Sequence, residues 1–76
     1  MKVEAKLATG IYALNRFMLT IQNKRMPVQN LEASMRDDET IVSFTFDCPE
    51  ENARRYTILL DGLEDVREIG PSNQSS

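Results

Sequence analysis

Apolar residues in this chain recur at every second position, then at every third or fourth, then at every second again, and the cycle runs twice within 76 residues. A strand shows its side chains to alternate faces, whereas a helix returns to one face about every 3.6 residues, so each cycle reads as strand, helix, strand. In the first cycle Val3, Ala5 and Leu7 alternate with Lys2, Glu4 and Lys6, and Thr9-Gly10 breaks the pattern. Ile11, Leu14, Phe17, Met18 and Ile21 follow at helical spacing, which predicts a helix from about Ile11 to Lys24 burying that stripe. Arg16, Thr20 and Asn23 face water, and Lys24 and Arg25 suit the negative end of the helix dipole. Pro27 ends the helix, because the residue before a proline is pushed out of the helical region. Leu31, Ala33 and Met35 then alternate with Glu32, Ser34 and Arg36 in a second strand.

The second cycle opens after a polar hairpin, Asp37-Asp38-Glu39. Ile41–Phe46 is rich in β-branched and aromatic residues, with Val42, Phe44 and Phe46 on one face. "DCPEE" carries helix-start chemistry: Asp47 or Cys48 as cap, Pro49 in the first turn, and acids near the positive end of the dipole. Ala53, Tyr56, Leu60 and Leu63 mark the buried stripe of the second helix, and Gly62 is placed to end it with a left-handed cap. Val66–Ile69 is a short last strand. The order is βαββαβ with short connections. Two right-handed crossovers put both helices on one face of a four-stranded antiparallel sheet, a ferredoxin-like α+β sandwich. One domain is expected over residues 1–70, with a flexible polar tail over 71–76.

Few groups here can carry chemistry. The chain has no histidine and no tryptophan, and one cysteine. A lone Cys48 excludes an internal disulfide framework or a CxxC site and suits a reducing compartment. It stands beside a helix N-terminus, where a thiolate is favoured, but no histidine base exists to activate it, so a cap or a partly buried thiol is the better reading. Asp37, Asp38 and Glu39 are consecutive, so their side chains point apart, and no second ligand set is spaced to converge on them: a solvated turn rather than a metal site. Arg54-Arg55 reads as an exposed face paired with Glu50 and Glu51 at helical spacing. Phe44 and Phe46 on a central strand invite comparison with RNA-binding sheets, but they share the phase of Val42 and lack the glycine and basic residues of that motif. A net charge of −3 gives no electrostatic reason to expect nucleic acid. No apolar run approaches the ~20 residues of a membrane span, and no basic-then-apolar leader opens the chain, so a cytoplasmic location with no membrane contact is expected. A chain this short buries only about 60% of its unfolded surface, so a second copy or a partner would help it. A regulatory or assembly module fits better than an enzyme.

With the order of elements set out, "ALNRFMLTIQNKRMPVQNLEASMRDDETIVSFTF" resembles an ACT domain, and is most similar to the short small regulatory subunits of acetohydroxyacid synthase (acetolactate synthase). Leu14, Arg16, Phe17, Ile21, Arg25, Met26, Val28 and Leu31 occupy the positions of that family's first motif. Leu60, Leu63, Asp65, Val66 and Ile69 match its later one, so the resemblance runs from about Val3 to Ile69. The resemblance implies a homodimer formed edge to edge, here through Asn30, Leu31, Glu32, Ala33, Ser34 and Met35 with the adjoining first helix. It also implies a non-catalytic chain that binds and activates the catalytic subunit of acetolactate synthase in branched-chain amino-acid biosynthesis. Thiamine diphosphate, Mg and FAD would belong to that partner, with no cofactor on this chain. The alternative is a free-standing ACT-domain amino-acid sensor.

In such domains a branched-chain or other amino acid meets the turn between the first strand and the first helix, here Thr9, Gly10, Ile11 and Tyr12. The sequence departs from the family there: Thr9 stands at the usual Asn, Tyr12 at the usual Gly, and Gly10 is out of register unless the turn shifts by two residues. Met26 replaces the glycine of an Arg-Gly pair, so the turn into the second strand is expected to use ordinary dihedral angles. The resemblance therefore implies a partly filled pocket and weak or no feedback by valine.

Overall fold

The computed structural model describes residues 1–72, and in it the two cycles become β1 (Lys2–Ala8), α1 (Ile11–Asn23), β2 (Val28–Met35), β3 (Glu39–Phe46), α2 (Glu50–Asp61) and β4 (Val66–Pro71). The strands form one sheet in the order β2-β3-β1-β4, every neighbour antiparallel. This is the ferredoxin-like α+β fold, with both helices on one face. The alternation of β1 and β3 accounts for the core: Val3, Ala5, Leu7, Val42, Phe44 and Phe46 all point under the helices and are buried. Phe44 lies at the centre, edge-on to Phe17 of α1 at 5.8 Å and to Phe46 at 5.1 Å between ring centroids. Phe46 in turn meets Tyr56 of α2 at 5.6 Å. The phase assigned to these rings thus holds, and they offer no stacking platform for bases.

Several local features differ from expectation, each for a physical reason. The stripe that α1 buries is Ala13, Phe17 and Ile21; Leu14 and Met18 are half-buried flanks, and Ile11 is 59% exposed. A small residue at position 13 gives a weak apolar signal in sequence, yet it lets the helix approach the sheet closely. The end of α1 is not made with ordinary dihedral angles. Arg25 adopts φ 52°, the Arg25 N–H donates to the Gln22 carbonyl and the Met26 N–H to the Ile21 carbonyl. That is a Schellman ending with arginine in the left-handed position, and buried Met26 and Ile21 supply the apolar contact that accompanies it.

For α2, Pro49 is the N-cap and no side chain caps the helix. Asp47 is engaged elsewhere: its carboxylate accepts from Gln29 Nε2 at 2.9 Å and its N–H donates to the Pro27 carbonyl. Glu50 and Glu51 in the first turn still favour the positive end of the dipole. Gly62 keeps a right-handed conformation, φ −77° and ψ −7°, and its N–H donates to the Ile58 and Leu59 carbonyls, so α2 ends without a left-handed cap. β4 runs two residues further than Ile69, to Pro71, and the Ser72 N–H donates to the Lys2 carbonyl at 2.9 Å. Of the tail expected over 71–76, residues 71 and 72 are thus held against β1, and 73–76 lie outside the described residues.

β2 carries a bulge. Gln29 faces Thr45 and Glu32 faces Ser43, so β2 takes three steps where β3 takes two, and Asn30 adopts φ 52°. Asparagine is among the residues that tolerate that region best. The extra residue lets Val28, opposite Phe46, and Ala33, opposite Val42, share the helix side although their spacing is odd.

Candidate functional site

Three surfaces deserve comparison, beginning with the β1–α1 turn. Gly10 is the N-cap of α1 with φ 107° and ψ 158°, a conformation that side chains rarely adopt, and a β-carbon built there would meet nothing within 4 Å. The glycine that the turn requires is therefore residue 10. Tyr12 lies in the first helical turn, 82% exposed, so its ring does not fill the turn as the sequence suggested. No side chain caps α1 and no acid stands in its first turn. The N–H groups of Ile11, Tyr12 and Ala13 are those that a helix leaves without an internal acceptor. Thr9 is committed within the chain: its hydroxyl donates to the Arg36 carbonyl at 3.2 Å. Asp65 holds the other side, accepting from the Ala8 N–H at 2.8 Å and pairing with Arg16 Nη1 at 3.5 Å. Arg36 and the roles of Arg16 and Asp65 were not visible in the sequence, because only the fold brings these segments together.

The second surface is the β2 edge. Leu31 is half-buried, whereas Ala33 and Met35 are exposed, Met35 by 52%, although both lie on the helix side of the sheet. The Thr9–Arg36 hydrogen bond brings the start of α1 beside the end of β2. Ile11 in the first turn of α1 and Met35 at the end of β2 are both exposed. Asn30, Glu32 and Ser34 are exposed on the same strand.

A third surface is an apolar groove of about 330 Å³ between α2 and β4, lined by Met1, Thr57, Ile58 and Pro71 and rimmed by Glu50 and Arg54. Arg54 Nη2 donates to Glu50 Oε2 at 3.2 Å, the helical-spacing pair expected from sequence.

Reactive groups do not converge. Among the described residues no three of His, Cys, Asp and Glu are placed to hold a metal ion. Cys48 is a free, half-buried thiol packed against the core. Asp37 and Asp38 are exposed in a turn that the Arg36 N–H closes by donating to the Glu39 carbonyl at 2.8 Å. Among the described residues no helix is long and apolar enough to cross a membrane. No protein-family model matches the chain, and no curated protein matches it.

Proposed function

We propose that this chain is a non-catalytic regulatory module that pairs with a second copy through β2 and α1 and binds a catalytic partner, in the manner of the ACT-domain small subunit of acetolactate synthase that its sequence resembles. The observation that carries the pairing is the exposure of Ala33 and Met35 on β2, which is a free edge of the sheet. Bare edges in native sheets are paired or guarded, and this one carries Glu32 alone among charged residues between Val28 and Met35. Extending the sheet across a two-fold axis would satisfy the edge and help cover these side chains. The catalytic partner would supply thiamine diphosphate, Mg and FAD. This chain would act by holding that partner in its active arrangement.

Two measurements test the reading. Light scattering at high micromolar concentration should give a dimer, and Met35→Lys should shift it toward monomer while leaving the circular dichroism spectrum unchanged. Reconstitution with an acetolactate synthase catalytic subunit should raise its activity, and that activation should persist in millimolar valine. A persistent monomer, or a catalytic subunit indifferent to this chain, refutes it. Weak valine feedback is expected because the Thr9 hydroxyl is already spent on Arg36.

A second reading, an amino-acid sensor acting on some other partner, is favoured by one observation. Gly10 leaves open space beside an uncapped helix N-terminus, where a carboxylate could meet backbone N–H groups. Calorimetry with valine, leucine and isoleucine on the purified protein separates the two, since micromolar binding without any effect on a catalytic subunit supports the sensor.

A further inference from the structure

The outer strand β2 has unspent backbone groups, and the register shows which they are. The Arg36 N–H donates to the Glu39 carbonyl, so these two residues form a bonded pair across the hairpin. Antiparallel neighbours alternate between bonded and unbonded pairs. Ser34 opposite Ile41 and Glu32 opposite Ser43 are therefore bonded pairs, whereas Met35 opposite Thr40 and Ala33 opposite Val42 are not. The other side of β3 agrees. Met1 and Phe46 bond reciprocally, so Phe46 turns its backbone toward β1, as do Phe44, Val42 and Thr40 at steps of two. The N–H and C=O groups of Ala33 and Met35 thus point outward at the free edge of the sheet. The bulge after Gln29 interrupts the ladder, which leaves 32–36 as the regular stretch of that edge, all of it exposed.

Resting on the pairing through β2 read above, we propose that the second copy docks antiparallel with the two-fold axis through Ser34, so that Glu32 of each chain meets Arg36 of the other. In this register Ala33 bonds to the partner's Met35 and Met35 to the partner's Ala33, which uses every outward backbone group of the stretch. These side chains lie on the helix side of the sheet, so exposed Ala33 and Met35 cover each other across the axis. Glu32, Ser34 and Arg36 share the open side, where each Glu32 stands opposite a guanidinium. Neither charge is spent within the chain, because the ion pairs among the described residues join Lys6 to Glu68, Arg16 to Asp65 and Arg54 to Glu50. Neighbouring registers lose this match. An axis through Glu32 sets two carboxylates against each other, and one through Ala33 sets Arg36 against the bulged Asn30. An axis through Met35 places Ala33 opposite Asp37 in the turn. Charge selects the register, and the backbone bonds with the covered apolar groups supply the affinity.

The test is a charge exchange read by sedimentation of the full chain, with circular dichroism verifying that each variant is folded. Glu32→Arg alone sets two cationic pairs across the axis, and Arg36→Glu alone sets two anionic ones. Each variant should therefore self-associate on the order of tenfold more weakly than wild type. Mixed in equal amounts they restore both opposite-charge pairs, and the mixture should dimerise within about threefold of wild type. Disulfide trapping in a Cys48→Ser background locates the axis. Ser34→Cys should cross-link readily, because facing residues of an unbonded pair lie about 4.5 Å apart at their α-carbons. Ala33→Cys should not, since its counterpart sits two residues out of line, beyond the ~7 Å that a disulfide spans. A mixture no tighter than either variant alone, or cross-linking of Ala33→Cys in preference to Ser34→Cys, overturns this register while leaving the pairing through β2 intact. A monomeric wild type overturns both.

Discussion

Thr40 is the most informative single residue to change. It is fully buried on the helix side of β3, opposite Leu7 of β1 and Met35 of β2, and its hydroxyl has no hydrogen-bond partner among the described residues. In the unfolded chain that hydroxyl bonds to water. Burying it unpaired costs about 1–3 kcal/mol. Valine has the same shape and the same β-branched preference for strands, and it replaces the hydroxyl with a methyl group whose burial contributes roughly 0.8 kcal/mol. Thr40→Val should therefore stabilise the fold by about 2–4 kcal/mol, with each kcal/mol raising the melting temperature of a domain this size by about 4–8 °C. Thr40→Ser, which keeps the hydroxyl and deletes a buried methyl, should instead destabilise by roughly 1 kcal/mol. Paired urea melts of the three proteins at matched concentration read both differences, with unchanged slopes showing that only stability has moved. A Thr40→Val protein less stable than wild type by 1 kcal/mol or more would refute the reasoning, because it would mean that the hydroxyl is bonded in solution.

Three further outcomes follow from the same structure. Phe44→Ala removes the ring that contacts both Phe17 and Phe46 and should cost about 3–5 kcal/mol, enough to unfold much of the protein at room temperature by circular dichroism; a wild-type melt would mean that the ring is not in the core. Arg25→Gly should stabilise, or at worst be neutral, because it relieves a left-handed cost of about 1–2 kcal/mol at the end of α1 while adding unfolded-chain entropy of up to ~1 kcal/mol; thermal melts that fall by several degrees would contradict the Schellman assignment. The two helix-terminal glycines should respond oppositely to alanine. Gly62→Ala, right-handed and with its nearest new contact at 3.4 Å, should gain about 0.5–1 kcal/mol, whereas Gly10→Ala should lose more than about 1 kcal/mol to backbone strain alone despite the open space around it.

What the sequence determined by itself is the set of features that each segment carries in its own backbone geometry. Alternation at Val3, Ala5 and Leu7 and at Val42, Phe44 and Phe46 set the faces of the two central strands, since a strand's side chains alternate whatever lies beyond it. Helical spacing located both helices, and short connections left the ferredoxin-like arrangement as the economical way to bury those faces. The β2 edge was legible for the same reason. The bulge was nearly so: Val28 cannot share a side with Leu31, Ala33 and Met35 without one extra residue, and Asn30 is the residue suited to supply it. Tertiary structure decided what depends on neighbours distant in sequence. Ala13 rather than Leu14 joined Phe17 and Ile21 in the buried stripe because a small side chain suits close packing on the sheet. Asp47 left its expected capping role for Gln29, Thr9 gave its hydroxyl to Arg36, and Arg16 found Asp65. Arg67 reaches the Asp38 carbonyl at the hairpin across the sheet. None of these partners is encoded by spacing, because a polar side chain takes whichever acceptor or donor the assembled fold brings within reach.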